Sequence, residues 1–326
     1  LKSTLPYVLH VREQWFDPPR ANAGMARRLA ACHAQALAGI DGIVLTTDAD
    51  SRVAQEWIAT NIAEIDAGAD AVAGMAVLDA RDAAELPQRL FADEEKSDIF
   101  SSLLDEIDWL IDPDPADPWP RHTEHSGASI AVRARYLAWA GGIPAVPLGE
   151  DRELFGQLRR IDARIRHSRN VTVTVSGRMV GRAQGGMADT IARRLLLPDQ
   201  WLDDCLESAD THVKRAMLRA SAREAWTECA MDLSSLAAAL RLSVAKVQSA
   251  LEAETFGRAW CDLECASSAL LRRKVPVKDV ARETRKAEAI VARLRNGDCL
   301  SATVHRADNE RFSGGGQHEE IGVSAG

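Results

Sequence analysis

The chain has 326 residues, 46% hydrophobic and 27% charged, with a formal charge of −8, so it can bury a sizeable core and carries no basic field for nucleic acid. No apolar run reaches the length needed to cross a bilayer, and a cytoplasmic protein is the expectation. Six cysteines, at 32, 205, 229, 261, 265 and 299, lack paired Cys-x-x-Cys spacing, which argues against a disulfide framework or a structural zinc. Cys261 and Cys265 stand one helical turn apart and read as small apolar fillers.

From Met25 to Leu37 the chain is rich in Ala, Leu and Arg and reads as a helix entered through Asn22 and Gly24. Gly42-Ile43-Val44-Leu45-Thr46 follows as a short apolar run, ending in Thr47-Asp48-Ala49-Asp50-Ser51, and reads as a buried parallel strand. Ligands of open α/β sheets gather outside the carboxyl ends of strands, and alternate residues of an extended segment face one side. Asp48 and Asp50 are therefore placed to hold a hard divalent cation that also takes phosphate oxygens. Asp50 or Ser51 is equally placed to cap a helix whose Val53, Trp57, Ile58, Ile62 and Ile65 fall on one face. Ala71 to Leu78 reads as the next buried strand, and this strand-helix-strand order predicts a mostly parallel sheet.

Between Arg81 and Ile111 the pattern is helical, with Ile99, Leu103, Ile107 and Leu110 recurring on one face. Four prolines in 112–120 then predict a surface loop beside the site, where Trp119 either stacks on a ligand or pins the loop. His122, Glu124 and His125 lack the helical register of a His-Glu-x-x-His motif, so metal ligation is not read from them. Ala128 to Val132 reads as a strand, and Gly127 before it either admits a ligand close to the backbone or makes an ordinary turn. Leu154, Phe155, Leu158 and Ile161 form an amphipathic helix that starts where Glu150 and Asp151 lie, and a helix N-terminus favours negative charge. Val171, Val173 and Val175 alternate with threonines as a period-two strand. Beyond it, Arg178 and Arg182 among glycines read as a bidentate diphosphate grip or as a solvated basic turn.

From Thr190 to Arg295 helix formers dominate and predict a separate helical region. Residues 232–247 have a helix-turn-helix cadence, read as a packed pair because the chain is acidic. The chain thus divides into an α/β domain over 1–190, an all-α region over 191–306 and a disordered tail over 307–326.

The stretch from Gly42 to Ser51, followed by Trp57, Asn61 and Gly68 to Gly74, resembles the family 2 glycosyltransferases, whose GT-A fold is a mostly parallel sheet flanked by helices. A second block agrees: Ser126 to Arg133, Gly141-Gly142-Ile143-Pro144, then Gly149-Glu150-Asp151, similar to the acceptor side of that family. The resemblance implies metal-dependent, inverting transfer of a hexose from a nucleoside diphosphate to an acceptor hydroxyl. It implies Asp48 and Asp50 as ligands of Mg²⁺ or Mn²⁺ and of the donor, with Arg178 and Arg182 on the diphosphate. Gly127 and Glu150 fall on the acceptor side, and Asp151 is the base. The two strands that open the family's sheet, on the order of 50 residues, are expected before this stretch and do not show.

Two other readings stand beside it. One is a binding or scaffold module with an incomplete donor site, whose helical region contacts a protein partner. The other is a nucleotidyltransferase, which shares the sheet and the acid pair but needs a glycine- and lysine-rich phosphate loop.

Overall fold

In the computed structural model, which describes residues 6–18, 20–178, 181, 186–228 and 232–298, the helix entry read at Asn22 is an N-cap whose side chain accepts the Met25 N–H at 2.9 Å. The elements run α1 (Ala23–Ala38), β1 (Ile43–Thr46), β2 (Arg52–Val53), α2 (Trp57–Asp66), β3 (Ala71–Leu78), α3 (Ala80–Glu85), α4 (Gln88–Ile111), β4 (Ile130–Arg133), α5 (Ala134–Trp139) and α6 (Glu150–Arg160). They continue as β5 (Ile165–Val175), α7 (Met187–Leu196), α8 (Ala209–Glu228), α9 (Ser234–Leu240), α10 (Val244–Leu251), α11 (Phe256–Ala266) and α12 (Val280–Arg295). Arg182, Gly185, Cys229, Cys299 and the tail read over 307–326 lie outside the described residues. Chain contacts define two units, Leu1–Leu86 with Glu124–Leu197 and Pro87–Thr123 with Pro198–Gly326. Helix α4 and the proline-rich stretch thus group with the helical region, whereas the sequence reading keeps them within 1–190.

The first unit is α/β, built on a five-stranded sheet in the order β1-β4-β3-β5-β2. Only the β3–β5 pairing is parallel; β1–β4, β3–β4 and β2–β5 are antiparallel. The expected mostly parallel sheet is therefore corrected to a mixed one. The strand-helix-strand reading supposed that β1 and β3 are neighbours, but β4 lies between them and runs against both. The alternation of small and branched residues is what two-sided burial demands. On one face Val44, Ala71, Ala73, Ile130, Val132 and Ile165 pack with Leu137 of α5 and with Leu154, Phe155 and Leu158 of α6. On the other, Val72, Ala131 and Val171 pack with Trp57 and Ile65 of α2.

Helix α2 begins at Trp57 and not near Ser51, because Arg52 and Val53 pair with Thr174 and Val173 of β5. Its buried positions are Trp57, Asn61 and Ile65, spaced four apart, while Ile58 is 59% exposed. The Trp57 indole N–H donates to Ser129 Oγ at 2.8 Å inside the core, which ties α2 to the approach of β4.

The second unit is helical. Phe100, Leu104 and Ile107 of α4 pack with Val213 of α8 and Ala287 and Val291 of α12, with Leu103 and Leu110 against them; of the predicted face only Ile99 is exposed. Leu236 and Leu240 of α9, Val247 of α10 and Phe256 and Leu263 of α11 form a further cluster with α8. The tight turn between α9 and α10 uses Arg241 at φ 56 and a Ser243 cap on the Lys246 N–H. No helix among the described residues is long and apolar enough to cross a membrane.

This unit buries charge, and each buried charge among the described residues is paired. Glu207 is fully buried against Arg215, whose Nε lies 2.6 Å from Oε1, and Arg215 also reaches Glu264 and the Leu270 carbonyl. His212 Nε2 lies 3.0 Å from both the Leu104 carbonyl and Asp108 Oδ1, and its Nδ1 stands at an ion-pair distance of 3.5 Å from Glu207 Oε1. Burial opposes a charged imidazole, but the two carboxylates outweigh it and push the His212 pKa up to about 9. Glu207 is held down to about 2, its burial overcome by His212 and Arg215.

A raised histidine pKa means that the His212 pairs add full stability below its ordinary value of 6.5 and lose it as pH climbs through about 9. At about 1.4 kcal/mol for each tenfold change in proton affinity, the loss is at most about 3 kcal/mol. Hydrogen exchange of α8 amides in the full chain, corrected for intrinsic rates, should show protection falling over that window. His212→Gln should flatten the dependence; an unchanged slope in the variant would remove His212 from the account.

Candidate functional site

Helix α1 carries Arg27 one turn past its Asn22 cap, and three separate segments meet its guanidinium. Arg27 Nη2 lies 2.5 Å from Oδ1 of Asp48, in the turn that follows β1. Its Nε lies 3.1 Å from Oε1 of Glu150, the first residue of α6. Its Nη1 donates to the carbonyl of Gly127, before β4. Gly127 makes this possible by lacking a side chain, since a Cβ there would stand 2.6 Å from Arg27 Nη2 and 2.7 Å from Cζ. The Gly127 N–H donates to Asp151 Oδ2 at 2.9 Å, and Asp151 Oδ1 accepts the Arg152 N–H at 2.8 Å. Gly149, at φ 76 in the left-handed region, turns the chain so that α6 opens on both acids.

The second motif aspartate has its own partner. Arg178, just beyond β5, places Nη2 2.7 Å from Asp50 Oδ2, so this predicted phosphate ligand does reach the Asp-x-Asp turn. Asp48, Asp50, Gly127, Glu150, Asp151 and Arg178 are therefore all placed, the first with Arg27 and the second with Arg178. Neither aspartate caps α2.

Carboxyl groups outnumber guanidiniums here, and both motif aspartate side chains are about 41% exposed. Their hard oxygens suit Mg²⁺ or Mn²⁺. Among the described residues no group of three or more His, Cys, Asp or Glu is arranged to hold a metal. An ion at Asp48 and Asp50 would take most of its shell from ligand oxygens and water, the usual mode for Mg²⁺, and would compete with an arginine for each carboxylate.

Sequence reasoning gave Arg27 no role. The available signal was a pair of adjacent arginines, the only Lys, Arg, Asp or Glu residues of an Ala-rich helix; the other, Arg28, donates to the Ile143 carbonyl at 2.6 Å. His125 also meets an unexpected neighbour, with its Nε2 3.1 Å from that of His167 and its ring against Phe155. His167 lies within β5. The proline-rich stretch belongs to the helical unit, where Asp112 pairs with Arg219 and Arg223 and Asp117 with Arg121. Comparison with protein-family models, with curated proteins and with solved structures finds no match to this chain.

Arg27→Ala should destabilise the α/β unit. Breaking a buried pair by removing one partner costs about 3–5 kcal/mol, and the half-exposed Asp48 lowers the expected loss here to about 2–3 kcal/mol. Hydrogen exchange of β3 and β4 amides in increasing urea measures it. Arg27→Lys should recover only part, because one ammonium cannot reproduce the planar fork that spans three acceptors. Unchanged protection in the alanine variant would mean that the tie contributes nothing.

Proposed function

We propose that the α/β unit catalyses transfer of a sugar from a nucleoside diphosphate to an acceptor hydroxyl, in the manner of family 2 glycosyltransferases. The observation that carries the reading is the meeting of two motif blocks that lie far apart in the chain: Arg27 joins Asp48 to Gly127 and to Glu150, 123 residues away from itself, and Gly127 is bonded to Asp151. The GT-A assignment belongs to this proposal and rests on the order of the motifs, since one of the four strand pairings is parallel. The cytoplasmic location belongs to it too, and rests on composition.

Asp48 and Asp50 would hold Mg²⁺ or Mn²⁺ and the donor, and the ion would supply neutralisation of charge on the leaving diphosphate. Arg178, beside Asp50, would bind diphosphate oxygens through its planar fork. Asp151 would take the proton of the acceptor hydroxyl. Each of its oxygens accepts one backbone N–H, which fixes its orientation and leaves further lone pairs for the hydroxyl. Glu150, held by Arg27, would position the acceptor side through Gly127.

Calorimetric titration with UDP and with GDP, each with and without Mn²⁺, tests the donor site, and metal-dependent binding should vanish in Asp50→Ala. With the nucleotide known, Asp151→Asn should lower turnover by about 10²- to 10⁴-fold while nucleotide affinity stays within about twofold of wild type. Wild-type turnover in that variant would remove Asp151 from its role. A folded chain that binds neither nucleotide would favour the binding-module reading, to which the arginine pairing of both motif aspartates already lends support.

A further inference from the structure

In the helical unit, Cys261 and Cys265 depart from their sequence reading as core fillers. Helix α11 buries Phe256, Ala259 and Leu263, whereas Cys261 is only half-buried and Cys265 is exposed. Four residues apart on α11, the two side chains fall on one face of the helix. Cys265 also lines an open recess of about 390 Å³ formed with Asp262 and Ala266 of α11 and Lys246, Ser249 and Ala250 of α10. Small molecules in solvent can therefore reach the pair.

Distance decides what such a pair can do. Residues four apart on a helix have Cβ atoms about 5–6 Å apart, while a disulfide requires Cβ atoms about 3.5–4.5 Å apart. Closing a disulfide would unwind α11. A single soft cation asks for less, because two sulfurs bound at about 2.3 Å in tetrahedral geometry stand nearly 4 Å apart, a span that thiols four apart on one helix face meet by side-chain rotation.

We propose that Cys261 and Cys265 form a dithiol site for a soft, thiophilic cation of the Cd(II) or As(III) class. Binding forms two metal–sulfur bonds and releases the two thiol protons, with no change of oxidation state. With an organoarsenic oxide the two protons leave with the arsenic-bound oxygen as water. No third His, Cys, Asp or Glu completes a metal-holding group among the described residues, so water fills the remaining positions of Cd(II) and the site exchanges readily. This assignment does not rest on the glycosyl-transfer reading.

Ligation by thiolate releases the thiol protons, which gives the site a pH signature. Lys246 of α10, across the recess, is the facing cation. A cation must displace the thiol protons, so apparent affinity for Cd(II) should rise as the solution becomes more alkaline, by up to about tenfold per pH unit for each proton released.

The test uses the full chain, reduced, with phenylarsine oxide and with Cd(II). One adduct that survives excess monothiol is expected by intact mass, since chelation by two sulfurs outlasts attachment to one. Peptide mapping should place it on the segment containing α11. It should be lost in Cys261→Ser and in Cys265→Ser and retained in Cys32→Ser and Cys205→Ser, with circular dichroism confirming that each variant is folded. Cd(II) titration of the wild type should show tighter binding as pH rises. No monothiol-resistant adduct, an adduct mapped elsewhere, or one that persists in Cys265→Ser would overturn the assignment.

Discussion

One guanidinium organises the α/β unit at the end where β1 stops. Arg27 is 15% exposed and holds a carboxylate from the turn after β1, a carboxylate from the start of α6 and a carbonyl from the approach to β4. A fork of fixed planar geometry suits this task, because each bond it makes further restricts the direction of the others. The cost of ordering it is shared among three contacts. What it fixes in turn is Gly127, whose N–H is then presented to Asp151. The catalytic proposal therefore depends on a residue that would touch neither donor nor acceptor.

Much of this was legible in the chain because period and punctuation are local. Asn22, the run from Ile43 to Thr46, the Ala-rich stretch from Ala71 to Leu78 and the alternating valines of β5 each state their element over a few residues, and the structure has those elements where the pattern puts them. Strand order is not local. Nothing in Ile130 to Arg133 says that this segment inserts between β1 and β3, and that insertion turned a sheet read as parallel into a mixed one. The start of α2 was misplaced for a similar reason: Arg52 and Val53 are claimed by β5, 120 residues downstream, before a helix can begin. At the site, the residues with distinctive chemistry and spacing were visible, while Arg27 was hidden because its importance lies wholly in partners brought from far along the chain.

The buried charges of the helical unit and the charges of the candidate site are held differently. In the helical unit, Glu207, Arg215 and His212 are enclosed, and each meets an opposite charge. Groups so enclosed, at such cost in lost hydration, stabilise a particular packing and have little capacity left for a ligand. At the candidate site Asp48, Asp50, Glu150 and Asp151 stand beside Arg27 and Arg178, and the two motif aspartates remain partly open to solvent. The contrast separates a structural network from a candidate site better than any single residue does, since both contain carboxylates beside arginines.

It also ranks the two arginines when a divalent ion competes for the motif carboxylates. Arg178 and Asp50 are 46% and 41% exposed, and an ion pair that open is worth about 1 kcal/mol or less. Losing it costs little, and the released guanidinium stays near the position where a diphosphate would bridge to the ion. Arg27 would give up only one of three contacts if Asp48 turned to a metal, and would keep its hold on Glu150 and Gly127. On the proposed reading the order of exchange would follow from burial: Arg178 would be the partner that yields its carboxylate to an ion, and Arg27 would keep Glu150 and Gly127 in place.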